Sequence, residues 1–81
     1  MYFVYFLKSS ANGDLYVGSC ADLDARLRRH NGGLVKSTKP YRPWQLLGHE
    51  EYNTRSEAVR RERFLKTGQQ KEILKKKLEK A

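Results

Sequence analysis

Five side chains in this sequence form a set that could do chemistry together: Tyr5, Tyr16, Arg26, His30 and Glu62. Phenol and imidazole groups exchange protons at a reacting centre. A guanidinium presents a rigid fork of donors to a phosphate or carboxylate. A carboxylate turned toward a protein interior needs an ion-pair partner or a metal to offset its lost hydration. Whether the five act together depends on the elements that carry them.

Tyr2 to Lys8 is rich in aromatic and β-branched residues and too short for a helix, which predicts a strand. Ser9 to Gly13 is turn composition, with Asn12-Gly13 the strongest local hairpin signal, and Asp14 to Cys20 returns as the second strand. Directly opposed residues of an antiparallel pair point to the same face. A register such as Tyr5 opposite Gly18, with an odd sum of residue numbers, therefore puts Tyr5, Leu7, Tyr16 and Gly18 on one face. An even sum separates the two tyrosines.

Asp22 reads as the N-cap of a helix that runs to about His30 and stops at Asn31-Gly32-Gly33, with Asp24 near its positive end. Leu23, Leu27 and His30 recur at helical spacing, and Arg26 borders that stripe one turn before His30. Leu34 to Pro43 is a proline-stiffened loop, and Trp44 to Tyr52 a third strand weakened by Gly48. Thr54 or Ser56 caps a helix from Ser56 to about Thr67, closed by Gly68. A final helix, about Gln69 to Lys80, offers Ile73, Leu74 and Leu78 to the core and lysines to water. Glu62 shares a helix face with Ala58 and Leu65, which turns it toward the interior. The order ββαβαα predicts an α+β sandwich, a three-stranded, largely antiparallel sheet flanked by helices, as a single domain over residues 1–81.

The 81 residues carry a formal net charge of +8, from 17 Lys and Arg against 9 Asp and Glu. Residues 55–81 alone hold ten Lys and Arg against four Glu. A domain this basic binds polyanions by releasing their counterions, and nucleic acid fits better than a membrane surface because no strong Trp/Phe/Leu face accompanies the charge. No apolar run reaches the roughly 18 residues of a membrane span. The single cysteine, Cys20, cannot form an internal disulfide, and the expectation is a cytoplasmic protein.

Phe3-Val4-Tyr5 and Tyr16-Val17-Gly18 resemble the two signature tripeptides of the GIY-YIG nucleases. The resemblance extends through Arg26, His30-Asn31, the Ser37-Thr38-Lys39 loop, Pro43-Trp44 and Glu57-Ala58 to Glu62 and Lys66, nearly the whole chain. Phe3 stands where the first signature glycine would be, valine replaces isoleucine in both tripeptides, and no asparagine follows Glu62. The resemblance implies an endonuclease that hydrolyses DNA phosphodiester bonds with one divalent ion, Mg²⁺ or Mn²⁺, selecting DNA structure in repair or recombination.

On that reading Glu62 is the metal ligand and Arg26 holds the scissile phosphate. Tyr5 is the general base or orients the attacking water. Its phenol, with an ordinary pKa of about 10, needs either a nearby cation or metal to lower it or His30 to accept its proton. Tyr16 binds the same water or phosphate, Gly18 lets backbone approach the substrate, Lys66 supports the metal ligand or touches phosphate, and Lys39 and Arg42 touch phosphates.

Simpler roles stand beside these. The tyrosines fit a core, His30 fits a helix C-terminus, and Glu62 has Arg60, Arg61 and Arg63 as ion-pair candidates. A nucleic-acid binding module without useful chemistry, and an interaction domain docking a repair protein through the basic C-terminal helix, are the alternative functions.

Overall fold

The computed structural model describes residues 1–79. Strands β1 (Tyr2–Ser9) and β2 (Leu15–Cys20) are followed by α1 (Leu23–Asn31), a 3-10 turn (Lys39–Tyr41), β3 (Trp44–Tyr52), α2 (Arg55–Leu65) and α3 (Gly68–Glu79). The strands form one antiparallel sheet in the order β2-β1-β3, so the first strand is central and β2 is an edge. The observed pairing is Tyr5 with Gly18 and Leu7 with Tyr16, the odd register. Gly13 turns the hairpin with φ +80°, and the buried Ser9 hydroxyl accepts from the amides of Ala11 and Asn12.

Alternation along β1 divides the apolar residues into two cores. Val4 and Phe6, with Leu15 and Val17, face Ala58 and Leu65 of α2, and Leu74 and Leu78 of α3 complete that layer. Tyr5 and Leu7, with Cys20 and Trp44, face Leu23 and Leu27 of α1. Ile73, expected in the core, is 52% exposed: it precedes Leu74 on α3, and the helix packs on the Leu74–Leu78 stripe.

The helix caps follow local chemistry. Asp22 accepts from the Ala25 amide. Thr54, rather than Ser56, caps α2 through a reciprocal capping box with Glu57, which starts that helix at Arg55. In β3 the partners shift from Phe6–Gly48 to Leu7–Leu46, a bulge at the weak glycine that sequence alternation did not signal. Because of that shift Leu46 and His49, on either side of it, both pair with odd residues of β1.

The end of α1 is pinned to the start of β3 by one side chain. Asn31 Nδ2 donates to the Trp44 carbonyl at 3.1 Å, and the Trp44 amide donates to Asn31 Oδ1 at 2.6 Å. Asn31→Ala removes both bonds and should cost about 1–3 kcal/mol. Thermal denaturation followed by circular dichroism should show Tm falling by roughly 4–8 °C per kcal/mol in a chain of this size. An unchanged Tm would mean that the junction holds without the amide.

Candidate active site

Tyr5 lies flat over Gly18. A Cβ at position 18 would sit 2.5 Å from Tyr5 Cζ, so glycine is what allows the ring its place. The close approach that glycine permits at this position is made here by the Tyr5 ring. From that position Tyr5 Oη lies 3.0 Å from His30 Nε2. His30, almost fully buried near the end of α1, has its other nitrogen 2.8 Å from Thr38 Oγ1, and the Thr38 hydroxyl donates to the Val35 carbonyl at 3.3 Å.

These bonds decide the tautomer. A hydroxyl has one proton, and Thr38 spends it on Val35, so Oγ1 accepts from His30 Nδ1–H. Nε2 is then bare and accepts the Tyr5 proton. Burial, helped by the positive charges of Arg26 and Arg29, pushes the His30 pKa down and keeps the imidazole neutral. Burial raises Tyr5, as do Tyr16, Cys20 and Glu62, while Arg26 works in the opposite direction. At rest the pair is a neutral phenol and a neutral, oriented imidazole.

Tyr16 is the aromatic hub, with ring centroids 6.2 Å from Tyr5, 5.0 Å from His30 and 6.0 Å from Trp44. The ammonium of Lys66 stands 5.2 Å from the same ring. Lys66 also pairs with Glu62 Oε2 at 2.9 Å, while Ser19 Oγ donates to Glu62 Oε1 at 2.5 Å. Burial would raise the Glu62 carboxyl, but the bonds from Ser19 and Lys66 and the charges of Lys66 and Arg63 outweigh it and hold it below the usual carboxylate range. Of the cations that could pair with Glu62, Lys66 is the one that does, while Arg61 is turned to Glu50.

Tyr16 and Ser19 point to opposite faces of β2. Helix α2 packs on the Ser19 face of the sheet, where Glu62 meets Ser19, while Lys66, just past its end, reaches the ring of Tyr16 at the edge strand. Arg26, half-buried on α1, lines a cleft with Ser19 and Cys20, and its charge is felt at Tyr5, Cys20 and His30. Burial raises the Cys20 thiol pKa against that charge, as expected of a core cysteine. The structure thus gathers Tyr5, Tyr16, Gly18, Arg26, His30, Glu62 and Lys66 around the second half of β2.

Lys39 and Arg42 lie exposed on the loop before β3, where Arg42 Nε donates to the Lys39 carbonyl. No hydrogen bond among the described residues joins either to the cluster. Phe3, in the signature glycine's place, sets its ring edge-on to His49 at 5.5 Å. Two participants were given no role in the sequence reading: Ser19, and Thr38, which entered it only as part of the Ser37-Thr38-Lys39 loop. The same strand parity that aligned the tyrosines would have placed Ser19 toward α2, whereas Thr38 depends on a loop path that no periodicity reports.

Comparison with known proteins bears on the family and the fold. Residues 1–78 match the family model described as GIY-YIG catalytic domain. The UPF0213 proteins of Staphylococcus aureus strains Mu3 and N315 are 46% identical over 67 residues, 82% of this chain and 80% of each relative. The solution NMR structure of the UPF0213 protein BH0048 from Bacillus halodurans aligns with a TM-score of 0.55 and 31% identity, covering 91% of this chain and 82% of that one. Its likeness extends to the three-stranded antiparallel sheet with three helices. A family model matched over residues 1–78 and relatives 46% identical over most of the chain show that it belongs to the GIY-YIG family, a nuclease superfamily.

Proposed function

We propose that this protein is a DNA endonuclease that hydrolyses phosphodiester bonds with a single divalent cation, Mg²⁺ or Mn²⁺, held by Glu62. The observation that carries the proposal is the Tyr5–His30–Thr38 chain, a buried proton acceptor fixed in one tautomer, set around the same strand as an ionised carboxylate. The net charge of +8 supports an anionic polymer as substrate. We further propose that DNA shape, at a branch or flap, selects the site of cutting, as repair or recombination would require.

The donor set fits a hard cation of this kind. Glu62 is half-buried, ionised and oxygen-bearing, and among the described residues no three His, Cys, Asp or Glu side chains converge. One carboxylate suits Mg²⁺, which keeps most of its shell as water and substrate phosphate. When bound, the ion would offset the charge that develops on the phosphate.

The remaining steps belong to the chain. Arg26 orients the phosphate from α1 and adds positive charge where the transition state gains negative charge. Tyr5 orients the attacking water and takes its proton while passing its own to His30 Nε2. Such a concerted relay avoids a free phenolate, which burial disfavours at Tyr5. Thr38 holds the imidazole so that Nε2 faces Tyr5. The Tyr16 hydroxyl makes no hydrogen bond among the described residues and is available to the water or phosphate.

Glu62→Gln should lower metal-dependent cleavage of labelled DNA by about a thousandfold or more, equivalent to several kcal/mol, while leaving binding near wild type. Undiminished cleavage by the purified variant would refute the metal assignment. Thr38→Val should slow single-turnover cleavage about 10–100-fold, the usual effect of losing a group that fixes an imidazole. Thr38→Ser should restore the rate, and equal rates in all three proteins would remove Thr38 from the relay.

The pH dependence has a definite sign. His30 must be neutral to accept a proton, and its pKa in the folded chain is below the ordinary value of about 6.5. Activity should therefore persist just below pH 6.5 and disappear as pH falls through the lowered pKa. The unfolded chain takes up the His30 proton first, so stability should also decline as pH falls below about 6.5. A rate already halved at pH 6.5 or above would argue against a buried neutral His30.

A further inference from the structure

The cleft beside Arg26 holds more cationic equipment than the reaction above uses. It opens at the end of β2 with a volume of about 220 Å³, and Ser19 and Cys20 line it. Arg26 enters from α1, and Arg55, the first residue of α2, enters from the other side. Of the other cations on and just past α2, Arg60 and Arg63 line a separate surface groove, and Arg61 and Lys66 are occupied. Arg61 grips Glu50 with two bonds at 3.0 and 3.3 Å, and Lys66 is paired with Glu62. Neither Arg26 nor Arg55 pairs with a carboxylate among the described residues. Two guanidiniums lining one polar cleft repel each other, and an anion between them removes that cost.

Ser19 connects this cleft to the reacting centre, since its hydroxyl donates to Glu62. Arg26 stands between the two, its charge felt by Tyr5 on one side while it shares the cleft with Arg55 on the other.

We propose that the cleft is a second phosphate site in which Arg55 holds the nucleic-acid phosphate adjacent to the one being hydrolysed. The inference rests on nucleic acid being the substrate. Forked donors match phosphate oxygens, and a polynucleotide supplies a second phosphate one nucleotide away from the first. The strand then passes from the Tyr5–Glu62 centre across Ser19 into the gap between α1 and α2. Arg55 touches no reacting atom, so its contribution is to affinity and register.

The test uses the full chain and labelled single-stranded and duplex DNA, with binding measured in EDTA over a series of salt concentrations. Arg55→Gln is compared with Arg60→Gln, an exposed position on the same helix that does not line the cleft and carries the same charge change. Arg55→Gln should weaken binding about tenfold, the loss of one charge-assisted contact. It should also flatten the slope of log K against log salt by about 0.9 on duplex or about 0.7 on single strands. Arg60→Gln should remain near wild type in both. In cleavage assays Arg55→Gln should raise KM and leave kcat unchanged.

Equal losses in the two variants, or a fall in kcat with unchanged KM, would overturn the proposal. The binding arm separates it from the hydrolysis reading. Selective loss of affinity in Arg55→Gln, in a protein that cuts nothing, would support the cleft and remove the nuclease. Cleavage that depends on Glu62 while Arg55 and Arg60 behave alike would do the opposite.

Discussion

The pairing of Tyr5 with Gly18 is the constraint on which this site depends. It sets the phenol under His30 and, by parity, sends Val4 and Phe6 to the opposite face against α2 and α3. A slip of one residue would exchange the two faces of β2 relative to β1, separating Tyr5 from Tyr16 and burying the wrong set of side chains. Both hydrophobic cores therefore enforce the geometry of the polar cluster. The glycine contributes by having no side chain, and the tyrosine ring occupies the space that results.

The second organising feature is the exposed edge of β2. An edge strand is where a side chain from one face of a sheet can reach round toward the other, and Lys66, just past the end of α2, does so. Glu62 meets Ser19 on the face that α2 covers, while Lys66, one turn later, stands over the ring of Tyr16. The charges are sorted by partner: Lys66 serves Glu62, Arg61 serves Glu50, and Tyr52 adds a 2.7 Å bond to Glu50 that steadies the pair. This sorting keeps Glu62 ionised in a half-buried position, where an isolated carboxylate would tend to take up a proton.

Much of this was legible in the residues. Turn chemistry at Asn12-Gly13, the Asp22 cap and the Gly32-Gly33 stop are local signals, and each element formed where its signal lay, within a residue or two at most boundaries. The tyrosine face was legible because side-chain alternation is strict. What escaped was non-local. The bulge in β3 depends on how Gly48 meets Phe6, a partner 42 positions away in sequence. Ile73 and Leu74 have nearly equal apolar character, and only the angle at which α3 lies on the sheet chooses between them. Thr38 is invisible to periodicity because an irregular loop delivers it. Its polar side chain is nevertheless fully buried and fully hydrogen-bonded.

That loop differs from an ordinary surface connection. Trp44 Nε1 donates to the Thr38 carbonyl, Ser9 Oγ donates to the Tyr41 carbonyl, and the Ser10 amide donates to the Pro43 carbonyl, while Asn31 grips both backbone groups of Trp44. Although most of its side chains face solvent, residues 34–43 form a gauge of set length between the imidazole and the third strand. For protein engineering this makes the stretch a poor place to splice a tag or lengthen the chain. The hairpin tip, exposed at Ala11 and Asn12 and turned by Gly13, is the more tolerant insertion point.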